Sequence, residues 1–456
     1  MDTPTIPAPA ERARHGSPDK LRTAIGSAVG TTIENYDFLA YGTAAALYFN
    51  DAFFHADDPL IGVLIGFATF GVGFAMRPLG GLLGGYLGDR IGRKPVLIGA
   101  LLVMGFATVM IGLLPTYQQV GILAPILLTA IRVIQGLAFG AEWGGAILMT
   151  YEHAPWKKRG RYAAIPQAGV PLGVLLANVV FLLSSHLDSE LAWRLPFLLS
   201  SVLIVAGMII RLKVSESPEF VDTKEAGKVV SNPLKEVIRR DWRNILRIIA
   251  LRLAESGGFY VIVTYMLSYL TSGDEPITTK AVALTGLIAA TATGTVTTIL
   301  FGMLTDKVGR KPVYYAGTAL LILFAFPMFW LVNTGSTVLI VLVYIIGLAV
   351  IHDALAATQG TWFAELFKTN TRSSGASIGY QFSAAISGFI PLIAAAVAAQ
   401  LGWAGVALVY LGCGVLGLVG TILTRETWGA TQRAAVDSVI NSAETPGTAT
   451  KAKVSP

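Results

Sequence analysis

Charge is scarce in this sequence. Of 456 residues, 14% are Asp, Glu, Lys or Arg and 54% are hydrophobic, giving a mean hydropathy of +0.62. Soluble domains carry about a quarter charged residues. A water-soluble globule is therefore excluded, because it would lack the charged surface that such a core needs. Cysteine is nearly absent: Cys413 stands alone, which excludes an internal disulfide. The five histidines form no His/Cys/Asp group with metal-ligand spacing, so neither a metal nor a cofactor is expected. No Gly-x-x-x-x-Gly-Lys-Ser/Thr loop is present, which argues against an ATP-driven pump. No soluble domain and no nucleophile with a base in register point to an enzyme. The net charge of +6 is not a nucleic-acid footprint, because the basic residues fall in particular turns.

Long apolar runs dominate what is there. A membrane-spanning helix needs about 20 mostly apolar residues. Twelve such runs lie near 23–49, 60–87, 96–114, 120–151, 163–186, 193–212, 244–271, 281–303, 313–333, 336–366, 373–400 and 404–424. A lipid-embedded barrel would show alternating segments of about ten residues instead, and none occurs. The expected fold is an all-α membrane protein. Many runs are rich in Gly and Ala, which suits close helix packing in lipid. Residues 1–22 form a polar, Pro-rich N-terminal tail without a cleaved signal. Residues 23–213 and 244–425 each hold six runs. The polar stretch 214–243 divides them, either as surface amphipathic helices or as a plain linker. Residues 426–456 are rich in Ala, Thr and Pro and are expected to be disordered.

Lys and Arg cluster after runs two, four, six and eight, whereas the intervening turns are nearly free of them. This bias predicts cytoplasmic tails at both ends. The two halves also repeat. Gly85-Tyr-Leu-Gly-Asp89-Arg90-Ile-Gly92-Arg93-Lys94-Pro95 recurs as Gly302-Met-Leu-Thr-Asp306-Lys307-Val-Gly309-Arg310-Lys311-Pro312. Glu152 stands seven residues before Arg159, and Glu365 seven before Arg372. Two parallel six-helix halves with a site between them are a transporter architecture.

The paired Gly-x-x-x-Asp-Arg/Lys-x-Gly-Arg-Lys turns resemble the loop signature of the major facilitator superfamily. Tyr36-Asp37-Phe38-Leu39, Arg77-Pro78-Leu79-Gly80-Gly81, Gln135-Gly136, Glu142-Trp143-Gly144-Gly145 and His352-Asp353 are similar to segments of its metabolite:proton symporter family. Within that family the chain resembles most the shikimate-carrying branch, through Ser374-Gly375-Ala376 and Gly379-Tyr380-Gln381. Other members carry citrate, 2-oxoglutarate or proline and betaine. The resemblance implies twelve helices in two pseudo-symmetric bundles, a small-molecule substrate, protons as the second substrate, and a monomer in the plasma (inner) membrane. The absent C-terminal heptads count against an osmosensing role.

Ionisable groups at mid-membrane are functional candidates, because each is costly unless paired or wet. Asp37 in helix 1 and Arg132 in helix 4 are the expected proton-coupling pair, as the resemblance to proton-linked sugar porters also implies. A carboxylate changes its proton affinity when a neighbouring cation moves. The alternative is a fixed ion pair tying two helices. Glu34, one turn from Asp37, either shares the proton or lines the cavity, and Glu142 is either a second proton site or a helix-end partner. Arg252 and Glu255, spaced i,i+3, either meet a substrate carboxylate or bridge each other. His352 either titrates or packs, with Asp353 beside it. Gln135, Gln167, Tyr260, Tyr265, Tyr380 and Gln381 supply hydrogen-bonding groups for a hydroxylated substrate, or anchor the helices. Arg77, before a proline, is expected to hold helix 2 rather than touch substrate. Gly85, Asp89, Arg90, Gly92, Arg93, Glu152 and Arg159, with Gly302, Asp306, Gly309, Arg310, Glu365 and Arg372, form two expected gates. In each, the Asp accepts from a helix N-terminus and the Arg reaches the Glu. The function expected is proton symport of a small organic acid. A carrier of zwitterionic osmolytes, an exporter or uniporter, and a transporter-like receptor are the alternatives.

Overall fold

Hydrocarbon satisfies no backbone N–H or C=O, so apolar runs in lipid must be helices or closed barrels. Every regular element among the described residues is helical. The structure is a computed structural model that describes residues 18–56, 59–91, 93–212, 233–273, 275–367 and 372–429. The distal tails, most of the central loop and Gly92 lie outside these residues.

In the first half, α1 is Pro18–Leu47, α2 covers 59–91 with a turn at Met76, and α3 is Arg93–Leu113. There follow α4 (Leu123–His153), α5 (Arg159–Ser184) and α6 (Ser189–Leu212). In the second half, α7 covers 233–271, α8 is Lys280–Val308, α9 covers 310–332 and α10 is Thr337–Glu365. The last pair is α11 (372–401) and α12 (403–423), separated by Gly402, whose φ of 61° breaks an otherwise continuous helix. Glycine alone adopts that conformation without strain.

Two boundaries differ from expectation. The helix expected from 244 begins at Pro233 and bends at Asp241 (φ −115°), so the central loop is shorter than its polarity suggests. Residues 426–429, expected to be disordered, pack against the second half. Eight described helical stretches are apolar and long enough to cross a membrane, and one, Ser374–Leu423, holds both α11 and α12. α1 and α7 are not among them, and these two carry Glu34, Asp37, Arg252 and Glu255. Both border the cavity between the halves.

Lipid tails are as apolar as leucine, so helix association depends on close packing. Phe106, Leu183, Leu323 and Val338 project outward as expected of a lipid-facing surface. Small residues face inward. A β-carbon at Gly136 would lie 2.0 Å from the carbonyl oxygen of Gly73, and one at Gly140 would lie 2.1 Å from that of Arg77. α2 and α4 therefore cross backbone on backbone, which sets the depth of Arg77. Two π-helical stretches, Val261–Tyr265 in α7 and Ile346–His352 in α10, adjoin the polar residues of those helices. Such bulges often occur at functional sites.

Candidate functional site

The two halves meet around a cavity of about 50 Å³. Glu34, Arg77 and Gln167 border it from the first half, and Arg252, Glu255, Tyr260, His352 and Tyr380 from the second. On one side Phe70 and Phe74 pack on Tyr260 with ring centroids 5.6 and 5.0 Å apart. On that same side the Phe389 ring covers Gly71. On the other side Gln167 Nε2 donates to the Ala356 carbonyl at 3.2 Å. Beyond it, toward the basic turns, α5 and α8 touch at Gly160 and Gly302, where a β-carbon on Gly302 would lie 2.8 Å from the Gly160 carbonyl oxygen. The halves are closed on both sides of the cavity, which is an occluded arrangement.

The second half holds a continuous chain of buried polar groups. Arg252 Nη1 donates to Glu255 and to Gln359 Oε1 at 2.9 Å, while its Nη2 donates to the Tyr380 hydroxyl at 2.6 Å. The other oxygen of Glu255 lies 2.9 Å from His352 Nε2. His352 Nδ1 lies 3.0 Å from Asp353 Oδ1. Thr297 on α8 donates to Asp353 Oδ2 at 2.6 Å, and Gln359 Nε2 donates to the Tyr314 hydroxyl at 2.9 Å. Removing one partner from a buried ion pair costs about 3–5 kcal/mol, so this chain is tightly interdependent.

Arg77 behaves differently. Its Nε donates to Gln381 Oε1 at 3.1 Å, and its guanidinium lies 4.1 Å from the Phe139 ring centroid. Its Nη2 is buried at the cavity and has no hydrogen-bond partner among the described residues. The expectation that Arg77 holds helix 2 did not include this open donor, because a proline neighbour says where a helix turns, not what the arginine faces.

The expected Asp37–Arg132 ion pair is not formed in this arrangement. Asp37 is hydrogen-bonded by the Ser200 hydroxyl of α6. Arg132 Nη1 donates to Gln135 Oε1 at 2.9 Å, and its guanidinium lies 3.9 Å from the Tyr41 ring centroid. Gln135 Nε2 in turn donates to Thr108 at 2.8 Å, and the Thr108 hydroxyl donates to the Met104 carbonyl at 3.0 Å. The two charges are not in contact. Neither borders the cavity. Gln135, Tyr265, Asp353 and Gln381, expected at the substrate, also stand back from it. Gln135 holds Arg132, Tyr265 stacks on Tyr269, Asp353 backs His352, and Gln381 joins Arg77 to the Gly140 carbonyl.

The repeated turn of the second half is fully defined. Asp306 accepts the backbone N–H groups of Gly160 and Arg161 at 2.8 and 2.9 Å, capping the start of α5 across the boundary between the halves. Arg310 bridges Asp306 at 3.1 Å and Glu365 at 3.2 Å. Gly309, with φ 104°, makes the break between α8 and α9. Arg159 Nη1 donates to the Tyr151 hydroxyl at 3.1 Å, and Arg372 Nε to the Ala364 carbonyl at 2.9 Å. Sequence reasoning missed Glu426, which accepts the N–H groups of Arg310 and Lys311 at 3.2 and 2.9 Å. Thr427 adds a hydrogen bond to Glu365, and Trp428 Nε1 donates to the Asp306 carbonyl at 3.0 Å. In the first half Gly85 lies on α2 with open space around its α-carbon. The side chains of Asp89, Arg90, Arg93, Glu142 and Glu152 lie outside those described.

The family model of the Major Facilitator Superfamily matches residues 27–390. The chain is 38% identical over 416 residues to the shikimate transporter of Escherichia coli (strain K12), covering 89% of this chain and 94% of that protein. It is 33% identical over 396 residues to the proline/betaine transporter of Salmonella typhimurium, covering 82% of this chain and 77% of that protein. Its fold is similar to that of the proton:xylose symporter XylE, with a TM-score of 0.71 at 16% identity over 90% of this chain and 97% of that one. The buried polar cavity between two helical halves, the repeated turns and these relatives agree: the chain belongs to the major facilitator superfamily, as a multi-pass membrane transporter of small molecules and not an enzyme.

Proposed function

We propose that this transporter is a proton symporter of a small hydroxylated carboxylate, working by alternating access as a monomer in the inner membrane with both termini cytoplasmic. The observation that carries the substrate class is Arg77 Nη2, a buried donor without a partner at the cavity. A substrate carboxylate satisfies it with a charge-assisted hydrogen bond. Arg252 is less suited, since Glu255 already neutralises it and only its Nε lacks a partner. Gln167, Tyr260 and Tyr380 border the same space and suit ring hydroxyls. The likeness to the shikimate transporter supports the same reading. A zwitterionic osmolyte is the second reading, favoured by Glu34 beside Phe259 and Tyr260 at the cavity, since aromatic faces attract quaternary ammonium groups.

Purified carrier in vesicles with an inside-alkaline pH gradient tests both. Shikimate is expected to accumulate and glycine betaine not to compete. A charged hydrogen bond contributes about 1.5–3 kcal/mol, so Arg77→Gln is expected to raise KM by roughly tenfold or more, with Arg77→Lys intermediate. An unchanged KM in Arg77→Gln removes the anchor, and preferential uptake of betaine replaces the organic acid with the osmolyte.

A further inference from the structure

We infer that the buried chain Glu255–His352–Asp353 is the proton-binding site of this carrier. The inference rests on the symport reading above and deepens it, because it places the proton in the second half and not on Asp37.

The argument is a hydrogen count. His352 sits between two carboxyl groups, with Nε2 2.9 Å from Glu255 and Nδ1 3.0 Å from Asp353. Each contact needs one hydrogen between its heavy atoms. A neutral imidazole carries a single N–H. With both carboxyl groups ionised, one contact would then set a nitrogen lone pair against an oxygen lone pair in a buried site. The spare donors nearby do not fill the gap. Thr297 is spent on the other oxygen of Asp353, and Arg252 on the other oxygen of Glu255. The geometry is satisfied when the trio holds one additional proton, either as an imidazolium or on one carboxyl group facing a neutral ring.

Charge leads to the same count. Arg252 and Glu255 cancel, which leaves Asp353 uncompensated unless that proton is present. Among the described residues the surrounding elements supply no other cation to the trio. α8 contributes Thr297, α9 contributes Tyr314 through Gln359, α11 contributes Tyr380 to Arg252, and the Phe259 ring of α7 lies 4.6 Å from the His352 ring. Glu34 of α1 faces the same cavity from the opposite half, as does Arg77.

Position makes this proton useful. Glu255 and His352 border the cavity, so they share it with a carboxylate on Arg77. Asp353 lies at the seam between the halves. A β-carbon on Gly294 of α8 would stand 3.0 Å from its Oδ2 and 3.3 Å from Pro171 of α5. Parting α5 from α8 disturbs one end of the trio, while filling or emptying the cavity disturbs the other. An anion and a proton thus enter one enclosed space together, and neither is easily left behind alone.

The test uses full-length carrier in vesicles, with labelled shikimate as probe. Gradient-driven accumulation and counterflow exchange without a gradient are measured on wild type, His352→Gln, Glu255→Gln, Asp353→Asn and Asp37→Asn. Accumulation in His352→Gln and Asp353→Asn is expected to fall at least tenfold while counterflow falls much less. Proton uptake, read with an internal pH dye, is expected to disappear in step with accumulation. A His352→Gln carrier that accumulates shikimate like wild type overturns the proposal. So does loss of coupling in Asp37→Asn with coupling retained in His352→Gln. Loss of counterflow as severe as the loss of accumulation in all three trio variants also overturns it, in favour of a substrate-contact role. A wild type that exchanges but never accumulates brings down the symport reading itself, a different outcome from failure of the site alone.

Discussion

Asp37 is buried, with one oxygen on Ser200 and the other without a hydrogen-bond partner among the described residues. No cation stands within ion-pair reach among the described residues, since Arg132 is turned toward Gln135 and the Phe70 carbonyl. An unpaired charge in such a place costs several kcal/mol. Asn has the same shape and keeps an acceptor for Ser200. Asp37→Asn is therefore expected to raise the thermal unfolding midpoint in detergent by about 1–3 °C, and to leave shikimate accumulation within about threefold of wild type. A drop of accumulation to background, with counterflow intact, would restore the α1–α4 pair as the coupling device. The contrast with Arg252–Glu255 shows what a sequence makes legible at this scale. An i,i+3 pair lies on one face of one helix, so spacing alone brings it together. Asp37–Arg132 and Glu255–His352 each depend on the depth and rotation of two helices, which spacing along either one does not specify. The open Nη2 of Arg77 was not legible for the same reason: it is a property of the cavity, not of the Arg-Pro pair.

At the scale of elements, the start of α5 carries unsatisfied N–H groups and a partial positive charge. Asp306 of α8 meets both, accepting from Gly160 and Arg161. This contact crosses the boundary between the halves, so it exists only while the end bearing the basic turns is shut. The substitution Asp306→Asn removes the charge and one of the two acceptors, at a cost of about 1–3 kcal/mol. That shifts the closed-to-open balance by roughly tenfold. Val170 borders the cavity and Cys413, the sole cysteine, is replaceable by Ala. A Val170→Cys reporter in a Cys413→Ala background is expected to react roughly tenfold faster with an impermeant thiol reagent applied from the basic-turn side. Substrate affinity should stay within threefold. Unchanged labelling would leave the turn with only its basic residues' role as a topology signal. The repeated turns were readable because motif and helix end are local in sequence. The clamp of Glu426, Thr427 and Trp428 on Arg310, Glu365 and Asp306 was not, because an Ala- and Thr-rich tail gives no periodic signal. The helix count was readable from apolar run length, whereas the start of α7 at Pro233 was not, because that segment is polar.

At the scale of the whole molecule, two unlike seals compete. Polar hydrogen bonds and backbone contact close the end with the basic turns, and aromatic packing closes the other, with Phe389 on Gly71 and Tyr260 on Phe70 and Phe74. Alternating access requires that one seal open while the other holds, so the two open states draw on one population. Phe389→Ala removes ring contacts from the aromatic seal and is expected to favour opening there. Truncating a packed Phe costs up to about 3–5 kcal/mol in a full core, and less at a seam that already parts during the cycle. Alone, it should slow labelling of the Val170→Cys reporter from the basic-turn side. Combined with Asp306→Asn, it should return that rate toward wild type, because the two substitutions act with opposite sign on one equilibrium. Their effects should then nearly add as logarithms of the rate, since the seals share no contact. If the double variant instead labels faster from both sides than either single variant, the halves leak rather than rock, and the two seals are not alternatives within one cycle.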